Sequence, residues 1–521
     1  MDTNKIKVII LGVISTFIAL YLGISAATAQ FEAIAWIVGS AVVLTCVFLG
    51  RKVWMIVPFL GALNLSLSLP GGPTTMLIGQ FLFVVFAILL MLMRKLPWRL
   101  AFTELEFWIL ALTIMIAQVY LRNPVGMNLF GGETVGGKAY YVVGISLVTA
   151  IFLSGLRVSQ SDLKAILRLT ILGGVLNMIL GVVGMMSPAI GRWYGVGQLA
   201  TAEARSGDEG GLGLGLSQNQ YLGTTGTTLA LFISTYISPL RACFSLRWGL
   251  LLLLACGMGA ISGYRNAMGS LGLTLLVGIW YRGGFSSLLA SLLVGSMGVA
   301  LLAAVNSAMP LPGTVQRSLA FLPGTWEQRY LDSTSDSTEW RVAIWKEVLF
   351  TDRWIHNKSF GVGLGFTAQE LAMQRNLGAE NSSHRFGISG FDSHRETILA
   401  NGDYHSGPVQ TIRTIGYVGL IVLLLAQIRL AVHAHRQIQR CRNTEWFTLA
   451  LIVGMPLVWA PIFFVFVFGT FKDGASALIM GYAMVRMLET NLPLPAYVRR
   501  RFEDIVTHSR PLPAALALAK R

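Results

Sequence analysis

Charge is what this sequence is short of. Asp, Glu, Lys and Arg make up 12% of its 521 residues, against 54% hydrophobic, whereas a soluble globular chain carries about 25% charged residues. A soluble domain is thereby excluded. Cysteine is scarce too: of four, Cys46 and Cys256 fall in apolar runs and Cys243 and Cys441 in loops expected to be cytoplasmic, with none in the external segments. That placement leaves neither a disulfide framework nor a thiolate metal site. The period-2 alternation of a barrel strand is missing, which excludes an outer-membrane barrel. No strand precedes Gly361, Gly363 and Gly365, so these glycines lack the context of a dinucleotide-binding turn and are expected to form a tight turn.

Long apolar blocks are abundant. Most run roughly 18 to 25 residues, the length that crosses ~30 Å of hydrocarbon as a helix. Only helices satisfy every backbone group there, so the expected fold is all-α and polytopic, with about 14 transmembrane helices. Val53–Leu69, Trp248–Ile261 and Ala475–Leu488 are short runs, which sets a range of roughly 12 to 14. The resulting organisation is a transmembrane bundle over 1–187, a glycine-rich external loop over 188–220, transmembrane helices over 221–305, a long external loop over 306–408, transmembrane helices over 409–488 and a tail over 489–521. Lys5 and Lys7 before an apolar run ending at Ala27, Thr28 and Ala29 also fit a secretory signal. The length of that run, and a second run directly after it, favour a retained helix.

The charges that exist are ordered. With the amino terminus cytoplasmic, roughly 24 basic residues fall inside and about six in the short outer loops, as positive-inside insertion requires. Both termini are then cytoplasmic. The excess of +15 reports topology and gives no reason to invoke nucleic acid.

The polar residues able to do chemistry outside sit in two segments. Pro188–Gln220 carries Arg192, Arg205, Asp208 and Glu209. Asn306–Pro408 is about 100 residues long, far more than a connection between adjacent helices needs. Within it Thr338–Phe350 reads as an amphipathic helix, with Trp340, Ile344 and Val348 on one stripe and Trp345 and Leu349 beside it. An ordered cap on the membrane's outer surface is expected, since tryptophan and phenylalanine are rare in disorder.

Three stretches carry a resemblance: "EWRVAIWKEVLFTDRWIHNKSFGVGLGF" from Glu339 to Phe366, "YHSGPVQTIRTIGYVGL" from Tyr404 to Leu420, and "SGYRNAMGSLG" from Ser262 to Gly272. Together, over roughly Trp248 to Val432, they resemble the O-antigen ligase and Wzy-type polymerase superfamily of bacterial membrane glycosyltransferases. The shared elements are an Arg-x-x-x-Trp helix, a Gly-x-Gly-x-Gly element, a His-Ser pair ahead of Gly-x-x-Gly, and an arginine in an earlier span. Tyr264 and Asn266 depart from the family's serine and glycine around that arginine. The resemblance implies a GT-C-like fold in the bacterial inner membrane and a metal-independent enzyme without a cofactor. It would move a glycan from undecaprenyl diphosphate to an acceptor hydroxyl at the periplasmic face, in lipopolysaccharide or exopolysaccharide biosynthesis. A polymerase would use a second lipid-linked glycan as acceptor, a ligase lipid A core or protein. No residue reports a lipid A partner, which tilts the expectation toward polymerase. A flippase for lipid-linked sugars is the reading of another class, but transporters gather polar residues at the midplane, and this chain gathers them in one loop.

The residues suit that chemistry. A glycosyl diphosphate leaves as a multiply charged anion and needs fixed positive charge at the membrane surface. Arg265 stands at the outer end of its span, against the positive-inside trend, where it either grips diphosphate or snorkels. Arg413, five residues past Pro408, is a second substrate-binding candidate with the same two readings. His405, eight residues before Arg413, is near two helical turns from it if the helix extends back that far. Its imidazole could take the acceptor's proton, with Asp403 orienting the ring, or merely cap a helix or bind a sugar. Arg192, Arg341 and His394 complete the substrate-binding candidates; Arg341 and Trp345 also read as a stacking pair, and His384 and His394 as solvated loop residues or acceptor contacts.

Overall fold

The computed structural model describes residues 40, 43–67, 72–125, 137–187, 191, 219–366, 399, 402 and 404–492. The first expected span, Val8–Ala26, the body of the glycine-rich loop and the tail lie outside them. The described residues are mostly helical, and 8 of their helices are long and apolar enough to cross a membrane, as in a multi-pass membrane protein. The only β pairing there is two isolated bridges, Ser66 with Thr74 and Trp98 with Leu156.

Besides a 3-10 turn at Gly50–Met55 and a single turn at Pro239–Ala242, the named helices are α1 (Ile56–Leu63), α2 (Thr75–Leu92), α3 (Glu104–Arg122), α4 (Lys138–Gly155), α5 (Gln160–Met186), α6 (Gln220–Tyr236), α7 (Leu246–Ile261), α8 (Arg265–Ala308), α9 (Gly313–Leu319), α10 (Gln328–Phe350), α11 (Gly407–Cys441), α12 (Phe447–Phe466) and α13 (Phe471–Asn491). The apolar stretch Val43–Leu63, which ends in α1, turns at Gly50 (φ 49), with Arg51 and Lys52 exposed just after it. Lys52 pairs with Asp162 there at 2.8 Å.

Two long helices conceal turns. In α8 the backbone at Gly284 leaves the helical region (φ 76, ψ −171). A straight α8 would put Met268 ~57 Å from Asn306, yet Met268 packs on the cluster of Leu319, Trp326 and Tyr330 while Asn306 donates to the Thr325 carbonyl at 2.7 Å. α8 is therefore a hairpin of two arms, 265–283 and 285–308, which matches the two spans expected there.

In α11 the same break occurs at Gly416 (φ 76, ψ −179). Gly407 and Gln427 would lie ~30 Å apart on a straight helix, but the Phe464 ring abuts Gly407 as well as Gly474, which is itself beside Gln427. The expectation of one uninterrupted span from Val409 to Val432 is thus corrected. Residues 407–415 form a short helix folded back on 417–441, because a glycine inside an apolar run can take a left-handed conformation that hydropathy does not register. Gly419 lets the two arms touch, since a side chain there would overlap Ile415. A Cβ on Gly416 would overlap the Ser359 carbonyl, at a dihedral few other residues accept. Gly416→Ala is expected to destabilise the fold by about 3 kcal/mol. Size-exclusion melting in detergent checks this, and a wild-type melting temperature would refute the turn.

The helices form two groups. α13 packs on α4 and α11, and α11 also on α3 and α12, while α6 holds α7 and α8. α12 touches both α6 and α8, forming the seam between the groups. α13 carries Arg486 and Glu489 because it sits inside the bundle, with Leu478, Ile479, Tyr482, Ala483 and Met487 almost inaccessible. There Arg486 Nε donates to Glu106 Oε1 at 2.7 Å and Nη1 to Glu489 Oε2 at 2.7 Å, while the Tyr482 hydroxyl reaches Glu106 at 3.0 Å. His433 and Arg429 extend this network to Glu489 and Glu104. Glu106→Ala leaves a buried guanidinium short of its partner and is expected to cost about 3 kcal/mol. Replacing Arg486 with leucine as well should restore most of the lost melting temperature; no recovery would mean that Glu106 acts through packing.

The two ends of the bundle differ. One end holds this network, the Lys52–Asp162 and Lys164–Glu445 pairs, and Arg282 over the Phe447 ring at 5.3 Å. At the other end the long loop is docked. Arg122 at the end of α3 donates to the Phe360 carbonyl at 2.8 Å, Asn123 to Val362 at 2.9 Å, and Tyr140 near the start of α4 accepts from Leu364 N at 3.0 Å.

Candidate functional site

The described part of the loop is an ordered cap. α10 begins at Gln328, ten residues before the expected helix, because the polar stretch ahead of Thr338 continues the same turn. The expected stripe is its buried face: Ile344 and Val348 are fully buried with Trp354, Ile355, Tyr404, Val409 and Ile412, and Trp340, Trp345 and Leu349 pack around them. Gly361 (φ 80) and Gly363 (φ 127) shape a strap more extended than the tight turn expected. Its Val362 and Gly363 amides donate to the Arg413 and Thr414 carbonyls, at 2.6 and 3.0 Å. The strap thereby fixes the folded-back helix of α11 to the cap, which is a structural duty for the glycines.

Trp345 does not stack on Arg341. Its Nε1 donates to the Tyr404 carbonyl at 2.8 Å, holding the backbone one residue before His405. Arg341 instead lies within electrostatic range of Arg265, as does Arg317. Arg265 reaches this place through a short turn: Gly263 has φ 75, Ser262 Oγ accepts from Tyr264 N at 3.2 Å, and Arg265 is the first residue of α8. Burial pulls the Arg341 guanidinium below its ordinary pKa, and the same holds for Arg317, where nearby Tyr264 and Tyr330 offset part of the shift. A guanidinium remains charged regardless, so the lowering reflects its desolvation. Arg341 Nε is fully buried with no hydrogen-bond partner. Like charges within such range repel, and an anion bound at Arg265 would turn that repulsion into attraction.

His405 is half-buried and lies ahead of the helix. Ser406 is the N-cap of α11, Pro408 sits in its first turn, and His405 itself is left-handed at φ 48. Its ring centroid is 5.9 Å from that of Trp340, the neighbour of Arg341, and 6.4 Å from that of Phe468. The expectation that His405 and Arg413 share one helical face is therefore corrected. The helix does not extend back to His405, and Arg413 is buried against Phe366, its guanidinium 5.1 Å from that ring and beside Gly402. Arg192, Asp403, His384 and His394 lie outside the described residues.

Phe468 also lines an open cleft of ≈ 270 Å³ at the seam of α6, α8 and α12. Trp459 and Phe463 line it from α12, while Thr224 and Thr227 from α6 and Asn266 and Ser270 from α8 give it polar walls, with Tyr264 also lining it. The Trp459 indole N–H is buried without a partner, a state that costs about 1–3 kcal/mol when nothing fills it. Tyr264 and Asn266 flank Arg265 in the chain and the Phe468 ring neighbours His405, so the cleft adjoins both.

Sequence reasoning singled out Arg265, Arg341 and His405 but missed Arg317 and this cleft. Arg317 shared the signal that marked Arg265, a basic residue on the side expected to be poor in them; Trp459 and Phe463 gave none, since aromatic residues in an apolar run read as lipid-facing. No protein-family model matches the chain, and no curated protein matches it.

Proposed function

We propose that the protein is a glycosyltransferase of the bacterial inner membrane that transfers a glycan from undecaprenyl diphosphate to an acceptor hydroxyl. The observation that carries this reading is Arg265 with Arg317 and Arg341 both in its electrostatic range, Arg341 being the chain neighbour of the Trp340 whose ring lies 5.9 Å from His405, at the end of the bundle where the long cap docks. Three guanidiniums match a diphosphate, which is multiply charged and offers bidentate oxygens. At a membrane surface such a group arrives on a lipid whose tail stays in hydrocarbon. By the positive-inside bias this end faces the periplasm and both termini face the cytoplasm, in a chain of about 14 spans with GT-C-like character.

In the reaction the acceptor hydroxyl oxygen attacks the anomeric carbon, a new glycosidic bond forms, and the bond to diphosphate breaks. His405 takes the hydroxyl proton, and the arginines hold the departing polyprenyl diphosphate with its electron pair. Direct displacement inverts the anomeric configuration. The chain's own residues supply charge and base, so no metal or cofactor is needed. The favoured acceptor is a second lipid-linked glycan.

The test is purified protein in nanodiscs with a polyprenyl-diphosphate-linked repeat unit as sole substrate. A ladder of longer lipid-linked products supports polymerisation. Product only after lipid A core or protein is added would make the enzyme a ligase, and movement of the lipid across the bilayer without a new glycosidic bond would refute the transferase reading.

A further inference from the structure

We infer that the seam cleft is a pyranose-binding subsite, holding one sugar ring of a glycan next to Arg265 and His405. The two kinds of residue that line the cleft fit the two aspects of such a ring. Trp459, Phe463 and Phe468 supply aromatic surface for the C–H side of a pyranose, whose axial hydrogens carry partial positive charge toward the negative face of a π-system. Trp459 and Phe463 are set edge to face, so one of these two at most lies flat on the ring. Thr224, Thr227, Asn266 and Ser270 offer hydroxyl and amide groups to the ring's equatorial hydroxyls. The volume of ≈ 270 Å³ lies below the usual drug-sized pocket of about 300–1,000 Å³, which suits a single ring and not a longer oligosaccharide.

A prenyl or acyl chain fits less well. It would place hydrocarbon against Asn266 and the Thr224, Thr227 and Ser270 hydroxyls, whose remaining acceptor lone pairs it could not serve. Sugar hydroxyls can donate to those oxygens. The polar wall is already partly organised: Thr227 Oγ1 donates to the Gly223 carbonyl at 3.0 Å and lies 3.0 Å from Ser270 Oγ, so its rotamer is set before a ligand arrives. Gly223 permits this closeness of α6 and α8, because a side chain there would press on Ala267.

That a ring binds stands on the cleft alone; that it belongs to a reacting glycan rests on the transferase reading. The ring belongs either to the donor, next to its diphosphate, or to the acceptor, next to the base.

The experiment uses the full chain in nanodiscs. Three probes are added: polyprenyl-diphosphate glycan extracted from cells that make this protein, the free oligosaccharide released from it by mild acid, and the same polyprenyl diphosphate without sugar. The signal is the fluorescence difference between wild type and Trp459→Phe. A change is expected with both sugar-bearing probes and not with bare polyprenyl diphosphate, and Thr227→Val, checked to melt like wild type, should weaken it about tenfold. A change with the bare lipid equal to that with the glycan would assign the cleft to the carrier and overturn the inference, as would silence with all three probes. In the transfer assay, Trp459→Phe should raise KM about tenfold with kcat nearly unchanged. A rise for the donor alone identifies the ring as the donor's, and a rise for the acceptor alone as the acceptor's. If wild type binds the sugar probes but transfers nothing, the transferase reading falls while the subsite stands.

Discussion

Arg265→Ala is expected to lower glycan transfer by about 100- to 1,000-fold with little change in melting temperature. The magnitude is that of removing one preorganised group aimed at charge that develops in the transition state. The diphosphate gains charge as the anomeric bond breaks, so the loss should fall on kcat more than on KM. Arg265→Lys restores charge without the planar fork and should recover only part of the rate. Arg341→Ala should behave alike, because its Nε is buried and unpartnered and packs nothing by hydrogen bonding. Arg413→Ala provides the contrast. That side chain is 8% exposed and stacked on Phe366, so its loss should lower the melting temperature first and activity only through it. Transfer within threefold of wild type in Arg265→Ala would dissociate the arginine group from chemistry, and equal behaviour of Arg265 and Arg413 variants would mean the two sites were wrongly separated.

The ease of reading this fold from its sequence followed the chemistry of each part. Helices that face lipid announce themselves, because hydrocarbon enforces length and hydropathy together; α2 and the two arms of α8 are of that kind. The buried stripe of α10 was equally plain, since burial of Ile344 and Val348 imposes helical spacing on an otherwise polar loop. Turns inside apolar runs were not. Gly416 leaves no mark in hydropathy, and the short helix 407–415 was merged with the span after it. That one missed reversal misplaced Arg413, whose spacing from His405 has meaning only on a continuous helix. The site was legible where a residue broke a rule, as Arg265 breaks the charge bias. It was illegible where residues obeyed one, as Trp459 and Phe463 do in an apolar helix. Only the packing of α12 against α6 and α8 brings them to a polar wall contributed from elsewhere in the chain.

His405 permits a sharper separation of chemistry from structure than any arginine does. Its left-handed backbone, φ 48, costs about 1–2 kcal/mol for a residue with a side chain, and glycine would be spared that. In His405→Gly that backbone relief offsets the lost ring contacts to Trp340 and Phe468, so the melting temperature should change little, while transfer falls about 100- to 10,000-fold, the range for loss of a general base. The rings of Trp340 and Phe468 neighbour the imidazole where the loop delivers it, so Trp340→Ala should weaken transfer through loss of position. A base acts by accepting the hydroxyl proton, and an external base can stand in for a lost side chain. Transfer by His405→Gly should return in part when free imidazole is added, whereas Trp340→Ala should gain nothing from it. A His405→Gly variant that imidazole does not rescue would show that another group accepts the proton. A folded His405→Gly protein of undiminished activity would remove the histidine from the mechanism altogether.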